Sequence, residues 1–108
     1  MSRYAQRRDA NESPLVQLFR DCGFYVCRLH TPVDLLIGCR ASRRWGLVEI
    51  KDGSKAASRK RLTPAQEAFW ADTAGLPRWR IENETDALTV VEELRTWACA
   101  GRRRLRHD

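Results

Sequence analysis

Soft metal ligands are scarce in this 108-residue sequence: it has two histidines and four cysteines, and no C-x-x-C pair. Cys22, Cys27, Cys39 and Cys99 are scattered, and only His30 and His107 are available to complete a mixed set, which argues against a structural zinc. Reduced, partly buried thiols are the expectation. Long apolar runs are missing as well. None nears the roughly 20 residues that span a bilayer, and Met1 to Arg8 is polar where a secretory signal needs an apolar stretch. The expectation is an intracellular, cytoplasmic protein with no membrane partner.

Acid is outweighed by base. Fourteen Asp and Glu face 20 Lys and Arg, a net charge of +6, which favours a polyanionic partner. The positive residues are clustered: Arg3, Arg7 and Arg8; Lys55, Arg59, Lys60 and Arg61; and Arg102, Arg103, Arg104 and Arg106. Clusters suit a phosphate backbone better than scattered charge. Terminal runs equally fit solvated tails or a localisation signal. The run from Lys55 directly follows the chemical constellation described below, and position more than charge makes it a phosphate contact. Arg7, Arg8, Lys55, Arg59, Lys60 and Arg61 are thus the candidate DNA-binding residues.

A chain that is 43% hydrophobic and 31% charged is too apolar to stay disordered. Its length fits one domain over 1–108, with a basic tail at 101–108. Leu15, Leu18, Phe19 and Cys22 make one apolar helix face that Gly23 ends; Asn11 is a candidate N-cap and Glu12 the first helical residue. Phe24 to Leu29, Asp34 to Cys39 and Trp45 to Lys51 read as strands, the last two joined as a hairpin by the short connection Arg40 to Arg44. Thr63-Pro64-Ala65-Gln66 is a capping box that opens a second helix running to about Gly75. Arg78 to Glu82 is a fourth strand, and Ala87, Val91, Leu94 and Trp97 or Ala98 mark a third helix.

In Leu47-Val48-Glu49-Ile50-Lys51 the two-residue period of a strand sends Glu49 and Lys51 to one face. A hairpin centred between Ser42 and Arg43 places Asp34 opposite Lys51 and Leu36 opposite Glu49, with Asp34 diagonal to Glu49 at roughly 7 to 8 Å. Two converging carboxylates repel, and a divalent cation resolves the conflict. Mg²⁺ takes one or two carboxylates with water and substrate phosphate completing its shell. Asp34 and Glu49 fit that description, the backbone carbonyl of Ile50 adds a third oxygen, and Lys51 is placed to meet a phosphate and a nucleophilic water. The competing structural reading is a cross-strand ion pair between Asp34 and Lys51 with Glu49 solvated, an arrangement that is common and worth little.

The segments Arg8-Asp9-Ala10-Asn11-Glu12, Val33-Asp34-Leu35-Leu36-Ile37-Gly38, Leu47-Val48-Glu49-Ile50-Lys51-Asp52-Gly53 and Leu62-Thr63-Pro64-Ala65-Gln66 together resemble the PD-(D/E)XK nuclease superfamily. The likeness is greatest to its small stand-alone virus-type replication-repair nuclease (VRR-NUC) members. The resemblance implies an α/β fold with a restriction-endonuclease-like αβββαβ core, its mixed sheet flanked by helices, plus a C-terminal helix. It implies that Asp34 and Glu49 bind the metal, that Lys51 is the catalytic lysine, that Glu12 supports the metal from the first helix, and that Gln66 is a polar residue behind the site. The capping box alone also explains Gln66, and a helix N-terminus alone favours an acid at Glu12. The family's proline directly precedes its aspartate; here Val33 does, and the proline is Pro32.

By the same resemblance the protein is similar to Holliday junction resolvases. It is then a homodimeric endodeoxyribonuclease that uses Mg²⁺, or Mn²⁺ in its place, on branched DNA in a bacterial or phage-infected cell. Two other functions fit the residues: an inert nucleic-acid-binding module on the same fold, and a nuclease for flaps or duplex ends. His30, four residues before Asp34, reads better as a polar strand-end residue than as a ligand. Trp45, Trp70, Trp79 and Trp97 fit core packing or a dimer interface better than base stacking.

Overall fold

The computed structural model describes residues 11–51 and 62–107, with side chains as far as Trp97. The candidate phosphate contacts Arg7, Arg8, Lys55, Arg59, Lys60 and Arg61 therefore lie outside the described residues. In chain order the elements are α1 (Glu12–Asp21), β1 (Tyr25–Arg28), β2 (Leu35–Cys39), β3 (Arg44–Ile50), α2 (Pro64–Asp72), β4 (Arg78–Ile81) and α3 (Glu84–His107). The class is α/β, with a four-stranded mixed sheet in the order β1-β2-β3-β4: β1–β2 and β2–β3 pair antiparallel and β3–β4 parallel. Among the described residues no helix is long and apolar enough to cross a membrane.

Helix α1 ends where Gly23 was expected to end it. Gly23 has φ +86, its N–H donates to the Arg20 carbonyl (2.9 Å), and the Phe24 N–H donates to the Phe19 carbonyl (3.0 Å). This doubly bonded left-handed stop brings Phe24 back onto Phe19, their ring centroids 6.2 Å apart. The other end differs from expectation. Asn11 holds the N-cap position at φ −84, ψ 0, and its side chain makes no capping bond. Those angles lie outside the extended region from which a cap side chain reaches back into the first turn. Its Nδ2 donates instead to the Glu82 carbonyl (2.9 Å), tying the start of α1 to the end of β4.

The sheet's two faces have different fates because side chains alternate. Val26, Leu35, Ile37, Val48, Ile50 and Ile81 are buried with Leu15, Val16 and Phe19 of α1 and Ala87, Val90, Val91 and Leu94 of α3, forming one core on one side of the sheet. The opposite face carries Tyr25, Leu36, Gly38, Trp45, Leu47, Glu49 and Arg78, as the strand registers require. Among the described residues only the short α2, which fully buries none of its residues, leans over that face, and it does so at the β3–β4 side. Arg78 fastens it there: Nη2 donates to the Trp70 carbonyl (2.6 Å), Nε donates to Thr73 Oγ1 (2.7 Å), and the guanidinium lies 4.4 Å from the Trp70 ring centroid.

Close packing of α3 depends on Gly46. A Cβ at that position would lie 2.5 Å from Trp79 Cζ3. The Trp79 ring cannot readily retreat, because it meets Trp97 edge-on at 6.1 Å and donates from Nε1 to Glu93 (3.0 Å). Gly46→Ala is therefore expected to destabilise the fold by about 1–3 kcal/mol. Urea denaturation should show a lower midpoint with an unchanged m-value.

The β2–β3 connection corrects the register expected from the sequence. The turn is Arg40 to Arg43, the closing pair is Cys39↔Arg44, and Leu35 pairs with Val48. The hairpin centre thus lies one residue earlier than expected, and every partner changes by two. An even change leaves each side chain on its face. Asp34, just before Leu35, consequently falls across from Glu49 and not from Lys51, while Leu36 pairs with Leu47 and not with Glu49. The third helix also runs past the expected Ala98, its backbone continuing through Arg102, Arg103, Arg104 and Arg106 to His107.

Candidate active site

The strand geometry brings three of the expected side chains to one end of the sheet. The regular β2–β3 ladder stops at Leu35↔Val48, and Asp34 then engages β3 in two ways. Its N–H donates to the Val48 carbonyl (3.1 Å), and its Oδ2 accepts the Ile50 N–H (2.7 Å). The second bond fixes the carboxylate against the main chain between Glu49 and Lys51. Ile50 contributes here through its backbone, since its side chain is in the core. Lys51 N–H donates to the Ile81 carbonyl (2.9 Å), which holds the end of β3 to β4.

Glu49 is buried, with only 3% of its surface exposed. Its Oε2 lies 3.2 Å from Lys51 Nζ and accepts from Gln66 Nε2 at 2.9 Å. Its Oε1 is buried and has no hydrogen-bond partner among the described residues. Burial, then the neighbouring Asp34 charge, raise the Glu49 pKa from 4.5 to about 7, against the opposing pull of Lys51 and Gln66. A buried carboxylate oxygen without a partner is costly unless a proton or a cation meets it.

Gln66 closes the start of α2 and also contacts Glu49 and Lys51. As the third residue of α2 it closes the capping box, its Oε1 accepting the Thr63 N–H (3.0 Å) while Thr63 Oγ1 accepts the Gln66 N–H (3.2 Å). The same Oε1 lies 3.5 Å from Lys51 Nζ, and Nε2 binds Glu49. One amide thus anchors the helix start and bridges the acid and the ammonium. Gln66→Glu retains an acceptor for the Thr63 N–H but sets a second carboxylate against Glu49; Gln66→Ala removes both functions. The alanine variant is expected to lose about 1–2 kcal/mol at any pH. Like charges raise the folded-state pKa of both carboxylates, so the glutamate variant should match the wild type near pH 5 and fall below it at about pH 8. Thermal melts at the two pH values separate these outcomes.

Glu12 occupies the first turn of α1 and is buried, as a helix N-terminus favours. The partner seen for it is Arg28 on β1, whose Nε lies 3.3 Å from Glu12 Oε2. Among the described residues no group of three His, Cys, Asp or Glu side chains is gathered closely enough to hold a metal ion. His30 is exposed in the β1–β2 connection. Cys22, Cys27 and Cys39 carry free thiols.

Sequence reading did not anticipate the Arg28–Glu12 pair, because the two residues come from different elements and Arg28 lies in no motif. It left Trp45 open between core packing and a dimer interface; at 58% exposed, Trp45 is not a core residue. Its place at the outward position of β3, with glycines on either side of the hairpin pairing, was the available signal. Comparison of the chain with protein families, with curated proteins and with solved structures finds no match.

Proposed function

We propose that this chain is a divalent-metal-dependent DNA endonuclease of the PD-(D/E)XK type. The observation that carries the reading is the buried Glu49 Oε1, which has no hydrogen-bond partner among the described residues and belongs to a carboxylate that pairs with Lys51 and feels the Asp34 charge. Two hard carboxylates, of which Glu49 has a raised proton affinity, are a donor set suited to Mg²⁺, with Mn²⁺ as a substitute. Asp34, Glu49 and the backbone carbonyl of Ile50 would hold the ion. When bound, it supplies Lewis acidity that polarises a phosphoryl oxygen and lowers the pKa of water.

The remaining work falls to this chain's own residues. Lys51, only 14% exposed and held by Glu49 and Gln66, presents its ammonium protons where a phosphodiester oxygen gains negative charge. Gln66 keeps the lysine and the glutamate aligned, and the Asp34–Ile50 bond keeps the aspartate turned toward them. The order α-β-β-β-α-β with a mixed sheet agrees with the restriction-endonuclease-like core that the sequence resemblance implies.

The substrate proposed is branched DNA such as a Holliday junction, cut by a homodimer, since a two-fold assembly repeats one site for two strands. The net charge of +6 supports a phosphate-rich ligand. A four-way junction, a flap and linear duplex, each incubated with Mg²⁺ and with chelator, provide the test. Cleavage confined to Mg²⁺ or Mn²⁺, strongest on the junction, is expected. Binding should weaken with salt at a log-log slope of about 0.9 per phosphate contacted. Binding without cleavage of any substrate in either metal would leave only a nucleic-acid-binding module.

A further inference from the structure

At the far end of the same sheet face, Tyr25, Gly38 and Trp45 stand side by side across three strands, paired Tyr25↔Gly38 and Gly38↔Trp45. Tyr25 is 45% and Trp45 58% exposed, a large aromatic area to leave in water. The pair is nonetheless built. The rings meet edge-on at 5.8 Å and 85°, and the indole lies so closely over Gly38 that a Cβ there would come within 2.9 Å of it. Beside them opens a cleft of about 450 Å³ lined also by Arg40, Arg43 and Arg44 and, among the described residues, by no acidic one. Arg40 is braced by a bond from Nη1 to the Gly23 carbonyl (2.8 Å), and Arg43 sits in the turn at φ +59.

We propose that this aromatic and arginine-lined cleft binds unpaired nucleotides of a DNA strand, bases against Trp45 and Tyr25 and phosphates on the guanidiniums. Stacking needs the flat face of a base, which a paired and stacked duplex withholds, and base-on-aromatic stacking with arginine along the backbone is the usual solution for single strands. A second copy of the chain fits the cleft poorly, because a two-fold contact would bring the same three arginines together. Trp45 and Glu49 share a face four residues apart on β3, about 13 Å at the usual rise. The inference rests on the nuclease reading for that acidic end, and names the strand it would receive: one with unpaired nucleotides beside the scissile bond.

Fluorescence anisotropy in chelator, with a labelled oligothymidylate and a blunt, fully paired duplex, measures binding without cleavage. Trp45→Ala is expected to weaken the oligothymidylate complex roughly 5- to 100-fold and to leave the duplex unchanged. Trp45→Leu keeps apolar bulk over Gly38 and should lose affinity likewise, so a folding defect in the alanine variant does not hide the result. Arg43→Ala, in the exposed turn, should lower the salt slope by about one. Equal affinity of Trp45→Leu and wild type for the oligothymidylate, or equal losses on both ligands, overturns the proposal. So does a wild-type dimer that Trp45→Leu converts to monomer in sedimentation. Since no cleavage is read, a failure here leaves the metal site untouched, and a metal site that fails to cut leaves this result standing.

Discussion

Glu49→Gln is expected to reduce phosphodiester cleavage by at least about 10²- to 10³-fold while making the metal-free protein more stable at neutral and alkaline pH. The two effects share one cause. Burial and the Asp34 charge hold the Glu49 pKa near 7 instead of 4.5, so the folded protein binds this proton more tightly than the unfolded chain does. Stability from that proton is fully present below about pH 4.5 and is lost as pH rises through about 7. The loss amounts to roughly 3 kcal/mol once Glu49 is ionised in the folded state. Glutamine keeps an acceptor for Gln66 and carries no charge, so the variant should equal the wild type near pH 5 and exceed it at about pH 8. Chemical denaturation at the two pH values measures this, and adding Mn²⁺ should raise wild-type stability at the higher pH without raising that of the variant. A variant less stable than the wild type at both pH values would mean that the carboxylate serves structure, as a solvated ion-pair partner would.

The grouping of Asp34, Glu49 and Lys51 was legible in sequence because strand alternation survives an error of two. Glu49 and Lys51 share a face whatever the hairpin register, and Asp34 arrives on that face for any even offset. The partner itself was not legible. A four-residue turn with Arg43 in the left-handed region carries neither the Asn-Gly nor the Asp-Gly signal that fixes a hairpin centre. The pairing is set by packing of Leu35, Ile37 and Val48 into the core and by the Asp34–Ile50 bond.

Long-range polar contacts were equally hidden. Asn11 was readable as a cap from its neighbours, yet its amide serves Glu82, 71 residues away. Gln66 was readable as a cap and is one, but its Nε2 bond to Glu49 depends on how α2 lies over the sheet, which Arg78 determines from β4. Local rules located the elements; contacts between elements decided what the polar residues do. Placement of α2 also makes the proposed site asymmetric. Lys51 and Glu49 are supported from one flank by Gln66, while the opposite end of the face stays open toward Trp45.

Asp34→Asn should abolish cleavage, by about 10³-fold or more, and leave DNA affinity in chelator within about twofold. Asparagine is the informative replacement because its Oδ1 can still accept the Ile50 N–H, which alanine would leave without that partner beside the core. Loss of the Asp34 charge removes the second cause of the raised Glu49 pKa, so this variant should also be more stable than the wild type at about pH 8, by less than Glu49→Gln. An inert binding module predicts the opposite pattern for function, with affinity and activity equally indifferent to the change. Gel mobility shift in chelator together with cleavage in Mg²⁺ distinguishes the two. Undiminished cutting by Asp34→Asn would remove the aspartate from the chemistry and leave Glu49 and the Ile50 carbonyl too few to hold a divalent ion against a phosphodiester.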